Sequence, residues 1–205
     1  MDAGIPASAA QAIIEAGRRM DARGWVPATA GNLSVRLGDG RIAITRSGFH
    51  KGMLSPEALM LVDDQGMALD SNHRPSAETG LHCGIYRHFP EVGAALHGHS
   101  VPATVLSRRA GAGITLAGYE LLKAFPGLAT HQAAVQLPVL DNDQDIAALQ
   151  DRVQAIWAAT RQPVPGYLIR GHGVYAWGRD MGEALLRLEA LEFMLDCELH
   201  ERSLP

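Results

Sequence analysis

Small and apolar residues recur every three or four positions through residues 7–23 (Ala9, Ile13, Ala16, Gly17, Met20), which predicts a helix capped by Ser8 and stopped at Gly24. The same spacing predicts helices over 75–88, 100–108, 143–159 (Ile146, Leu149, Val153, Trp157) and 180–202 (Met181, Leu185, Leu188, Leu191, Leu195, Leu199). In the second of these Ser76 is read as the N-cap and Glu78 as a first-turn acid. In the last, Glu183 and Arg187 are read as an i,i+4 pair on the wet face. Between the helices, short alternating or apolar runs predict strands. Residues 32–36 and 41–46 form a hairpin about Gly38-Asp39-Gly40, followed by 59–62, 92–96, 114–117, 132–140, 166–170 and 173–177. Pro138 implies an edge or a strand terminus. Strands and helices interleave without repeat or linker, and the opening hairpin is antiparallel. The pattern therefore predicts a mixed or largely antiparallel sheet with helices packed on it.

Length and composition narrow the class without changing this picture. At 205 residues, 47% hydrophobic and 20% charged, the chain reads as one ordinary globular domain over 1–205. A net charge of −4 speaks against a nucleic-acid binder. No apolar run reaches membrane-spanning length, and Met1-Asp2-Ala3-Gly4 lacks signal-peptide features. Cys83 and Cys197 fall in helical stretches without metal-type spacing, as expected of reduced thiols in a cytoplasmic protein.

The chemistry concentrates where apolar runs stop. Ala94-Ala95-Leu96 leads into His97-Gly98-His99, and on an extended backbone residues i and i+2 share a face. His172, between Gly171 and Gly173, ends another apolar run. A lone H-x-H is more often a core or surface pair than a metal site. Two glycine-framed histidine sites together favour a metal, and three imidazoles would leave a divalent ion an open position. Ser47-Gly48-Phe49-His50-Lys51-Gly52 can turn backbone N–H groups and the Lys51 charge toward an anion, though taken alone it reads as a plain turn. Glu78 and Glu120 are candidate acids or bases, Glu78 alternatively a simple complement to its helix dipole. Asn32, Ser47, Gly48 and Ser76 are neutral donors suited to phosphate. His82 is read as a helix-face residue rather than a ligand.

With these residues assembled, the chain resembles the class II aldolase/adducin family. The carrying motifs are Gly31-Asn32-Leu33-Ser34, Thr45-Arg46-Ser47-Gly48, Ser76-Ala77-Glu78, His97-Gly98-His99 and Arg170-Gly171-His172-Gly173-Val174, in the family's order. Gly118-Tyr119-Glu120-Leu121-Leu122-Lys123-Ala124 and Asp141-Asn142 resemble its sugar-phosphate dehydratases in particular. The resemblance implies a three-layer α/β/α domain with a central mixed sheet, assembled as a homotetramer with active sites near subunit interfaces. It implies one Zn2+ per subunit on His97, His99 and His172, and a phosphosugar substrate held at Asn32, Ser47, Gly48 and Ser76. Aldolases of the family often carry a second serine where this chain has Ala77. Glu78 matches the aldolases' acid/base and Glu120 that of the dehydratases, with Glu120 favoured here for the proton transfers. Dehydration of a phosphorylated pentulose is the implied reaction. Aldol cleavage or epimerisation is the alternative, and a non-catalytic adducin-like module a distant third.

Overall fold

The computed structural model describes residues 4–69, 72–160 and 164–204. The reading of the first three residues therefore lies outside the described residues. Among the described residues eight strands form one sheet: β1 (Asn32–Arg36), β2 (Ile42–Thr45), β3 (Leu59–Val62), β4 (Ala94–Gly98), β5 (Gly113–Ala117), β6 (Ala134–Leu140), β7 (Gly166–Ile169) and β8 (Gly173–Gly178). Their order is β3-β2-β1-β4-β8-β7-β6-β5, and only β6 and β7 run parallel. The helices are α1 (Ala7–Ala22), α2 (Thr79–His88), α3 (Val101–Arg109), α4 (Ile146–Ala159) and α5 (Met181–Glu201).

Alternation along the strands makes two cores. Leu33, Ala43, Leu96, Leu168, Val174 and Ala176 pack with α1, α3 and α5 on one face. Ile42, Ile44, Ala95, Tyr167, Tyr175 and Trp177 pack with α2 and α4 on the other. Three layers follow directly from the period-two pattern of the strands and the stripes of the helices.

Several boundaries differ from expectation for identifiable reasons. Ser8 lies inside α1, whose N-cap residue is Pro6. Ser76 does not cap α2, which starts at Thr79 with Glu78 in the cap position, because Pro75 bridges to Arg46 and Ser76 is engaged by Asn32. The strand expected over 92–96 lies two residues later, so His97 belongs to β4 itself. Helix α4 begins at Ile146, where Asp145 caps it by accepting from the Ala148 N–H. Pro138 sits in an internal strand. The neighbouring Val139 N–H donates toward β5, so the proline's missing donor faces β7, just before β6–β7 pairing begins at Val139. Glu183 and Arg187 do pair, at 2.9 Å, but Arg187 is buried and also donates to the Trp177 carbonyl. That face of α5 is covered. Leu199 is only partly buried. Both cysteines are free thiols, Cys83 buried and Cys197 half-buried.

Candidate active site

Register across the sheet builds the site. Asn32 on β1 pairs with His97 on β4, and His97 pairs with Tyr175 on β8. His97 shares the sheet face of Ala95, which packs toward α2, and its ring stacks on Tyr175 at 4.0 Å between centroids. One residue beyond the strand His99 follows, its N–H bound to the Trp25 carbonyl and its ring 4.5 Å from that of His97. The i,i+2 convergence expected of H-x-H is present.

The turn between β7 and β8 brings in His172, 5.1 Å from His97 and 4.6 Å from His99 between ring centroids. Gly171 takes φ +65°, its N–H donates to Ser107 Oγ, and Thr104 Oγ1 donates to the His172 carbonyl. Both hydroxyls come from α3. Arg170 locks the same turn by donating to Asp141 Oδ1 and to the carbonyls of Ser107, Ala110 and Gly111.

Glu78, at the start of α2, closes the group. Its carboxylate lies 2.9 Å from His172 Nε2 and 3.4 Å from His97 Nε2, and it accepts from Asn32 Nδ2 at 3.1 Å. One ligand atom each from Glu78, His97, His99 and His172 falls within 4.8 Å of every other. Burial favours the neutral rings, holding the His97 pKa well below its usual value and pushing His99 down to about 4. Burial opposes the Glu78 charge, but His97, His172 and Asn32 outweigh it and hold the carboxyl well below the usual range.

This donor set fits a divalent ion. His97 Nδ1 donates to the Val174 carbonyl at 3.0 Å, which leaves the Nε2 lone pair facing the cluster, and that buried Nε2 has no hydrogen-bond partner. A second hydrogen bond that fixes tautomer and ring orientation is the usual support of a metal-binding histidine.

Beside the cluster opens a polar cavity of about 230 Å³, lined by Asn32, Ser47, Gly48, Lys51, Ser76, Glu78 and His99. All the expected phosphate-binding residues are thus brought together. Lys51 is buried, its pKa pushed down to about 8, and its ammonium donates to the Thr29 and Phe49 carbonyls. Two of its three donors are committed to shaping the loop. Arg46 and Thr29 also line the cavity; the cationic residue beside the Ser47-Gly48 hydroxyl loop was the available signal for Arg46.

Glu120 is placed elsewhere. It opens a short 3-10 turn, Glu120–Ala124, with its side chain 67% exposed and paired to Lys123 and to His131 Nδ1, the latter at 3.1 Å. It lines no part of this cavity. His82, read as a helix-face residue, is fully buried beneath Asn32.

A family model described as the Class II Aldolase and Adducin N-terminal domain matches residues 11–199. The chain belongs to the class II aldolase/adducin family. It is 59% identical over 197 residues to a protein of Gluconacetobacter diazotrophicus named methylthioribulose-1-phosphate dehydratase, covering 96% of this chain and 95% of the relative. A Pseudomonas aeruginosa protein of the same name is 50% identical, with 95% of each chain covered. Among solved structures, an L-fuculose 1-phosphate aldolase superposes with a TM-score of 0.81 over 98% of this chain and 89% of its own, at 19% identity. Fold is thus shared with aldolases, while sequence is much nearer to proteins named as dehydratases. Among the described residues no helix is long and apolar enough to cross a membrane.

Proposed function

We propose that this chain catalyses the dehydration of 5-methylthioribulose 1-phosphate to 2,3-diketo-5-methylthiopentyl 1-phosphate, a step of methionine salvage. One observation carries the type of chemistry: Glu78, His97, His99 and His172 converge, and Glu78 and His99 of this cluster also line a cavity rich in neutral and cationic donors. The choice of substrate is supported by the near-full-length likeness to the dehydratase relatives.

His97, His99 and His172 would hold a divalent ion, Zn2+ in this reading, and the Lewis-acid charge it would supply favours ionisation next to the substrate carbonyl. Asn32, Ser47, Gly48 and Ser76 bind the phosphate, with Lys51 adding its third donor. Loss of the C3 proton gives an enediolate, and protonation of the C4 hydroxyl lets water leave. Ketonisation of the resulting enol then yields the diketone. Glu78, held as an anion beside the imidazoles, orients the substrate. Glu120 carries the proton transfers. Because it stands exposed and away from its own chain's cavity, Glu120 is assigned to the site of an adjoining subunit in a homotetramer.

The test is to incubate the zinc-loaded protein with 5-methylthioribulose 1-phosphate and follow carbon by NMR. A diketone with all its carbons retained is the expected product. Cleavage to a smaller phosphate would instead make the protein an aldolase with Glu78 as base.

A further inference from the structure

We propose that His82 is a positioning residue of this site. Through a one-way chain of hydrogen bonds it holds the Asn32 amide with its NH2 turned toward Ser76, Glu78 and the cavity. The inference deepens the proposed function and takes from it only that an anionic phosphate is bound beside Asn32.

Chemistry settles the direction of every bond from one end. The Glu78 carboxylate accepts only, so the Asn32 atom 3.1 Å from Oε2 is Nδ2, which also lies 3.0 Å from Ser76 Oγ. Asn32 Oδ1 therefore faces His82 Nε2 at 2.8 Å, and Nε2 must carry the hydrogen. Burial keeps the ring neutral by pushing its pKa down to about 4, so Nδ1 is the bare nitrogen. It accepts from Ser34 Oγ at 2.7 Å, and Ser34 Oγ accepts in turn from Tyr86 at 2.7 Å. A flipped Asn32 amide would set Oδ1 against the carboxylate and N–H against N–H.

The His82 ring packs edge-on to Tyr175, a contact that needs a ring but not its two nitrogens. His82 is fully buried on the face of α2 that packs Leu81, Cys83 and Ile85 into the core, and Ser34 and Asn32 are polar at alternate positions on a buried strand face. Burying such groups is costly unless each finds its partner. These three find one another, and the chain they make ends at the cavity.

The experiment uses the metal-loaded full chain, with inorganic phosphate as the probe so that the identity of the sugar does not enter. His82→Leu should weaken phosphate binding about ten-fold, the effect of one lost hydrogen bond at a charged ligand. His82→Gln, whose amide N–H can replace Nε2–H, should restore most of it. In an Asn32→Ala background His82→Leu should have no further effect, because its action runs through Asn32. An equal loss in both backgrounds, or a folded His82→Gln that binds no better than His82→Leu, would overturn the proposal. Should the variants not fold, 15N NMR of the wild-type ring decides. A hydrogen on Nε2 supports the chain, and one on Nδ1 refutes it. If the phosphate results hold and 5-methylthioribulose 1-phosphate is not turned over, the substrate assignment fails and the role of His82 stands.

Discussion

Where β8 passes β4, Gly173 leaves no room for a side chain. An added Cβ would overlap the Gly98 carbonyl oxygen and come within 3.0 Å of His97 Cε1. Gly173→Ala should therefore push His97 out of line. The expected result is a folded protein that retains much less than one equivalent of metal after gel filtration, read by elemental analysis, with turnover falling in proportion. At this scale the sequence was most legible where chemistry needs an unusual residue. The glycine-framed histidines, Glu78 and the Asn32–Ser76 donors were all recognisable and all meet. His82 was not, because a histidine on a helix gives no sign of what lies beneath it until β1 is laid alongside. Its one trace was the polar alternation of Asn32 and Ser34 on a strand that should bury that face.

Elements were legible through periodicity, and their ends were not. Helix α2 starts three residues after its apparent cap because Ser76 is drawn to Asn32, a residue 44 positions away. The Glu183–Arg187 pair was correctly spaced but lies under cover, since spacing identifies neighbours on a helix and not what packs over them. Arg170 is the clearest case of an element-level role hidden in a motif. Its side chain ties β7 to the end of α3 through three carbonyls and to Asp141 beyond β6. Arg170→Ala should cost about 2 kcal/mol or more, since several charge-assisted bonds go at once. For a domain of this size that corresponds to about 4–8 °C in Tm. Differential scanning calorimetry of metal-free protein would read it, and an unchanged Tm would mean the His172 turn holds without this clamp.

For the molecule as a whole, a mixed, largely antiparallel sheet between helix layers followed from the strand pattern, whereas the strand order and the place of Glu120 outside its own chain's cavity did not, because linear motifs carry no information about how far apart they fold. Assigning Glu120 to a neighbouring subunit has a direct test. Glu120→Gln and His97→Asn should each be inactive as purified homo-oligomers, the first with full metal content. Mixed, partly unfolded and refolded together, they should regain activity, because some sites then combine intact histidines with an intact Glu120. No recovery, with hybrid assemblies verified by mass spectrometry, would place the proton transfers within one chain.

The bond between His97 Nδ1 and the Val174 carbonyl spans 77 positions of chain. The three histidines thus become neighbours only after β4 and β8 have zipped together at the centre of the sheet, so capture of an ion by all three would be a late event in folding. Contacts of such long range form slowly and contribute little before the rest of the architecture is in place. An ion bound there should slow unfolding while leaving the folding rate unchanged, as expected for interactions absent from the transition state. Stopped-flow chevrons with and without zinc would then share a folding limb and differ in the unfolding limb. In that sense an ion held by this cluster would act as a latch on a finished molecule, testing its assembly before any substrate arrives.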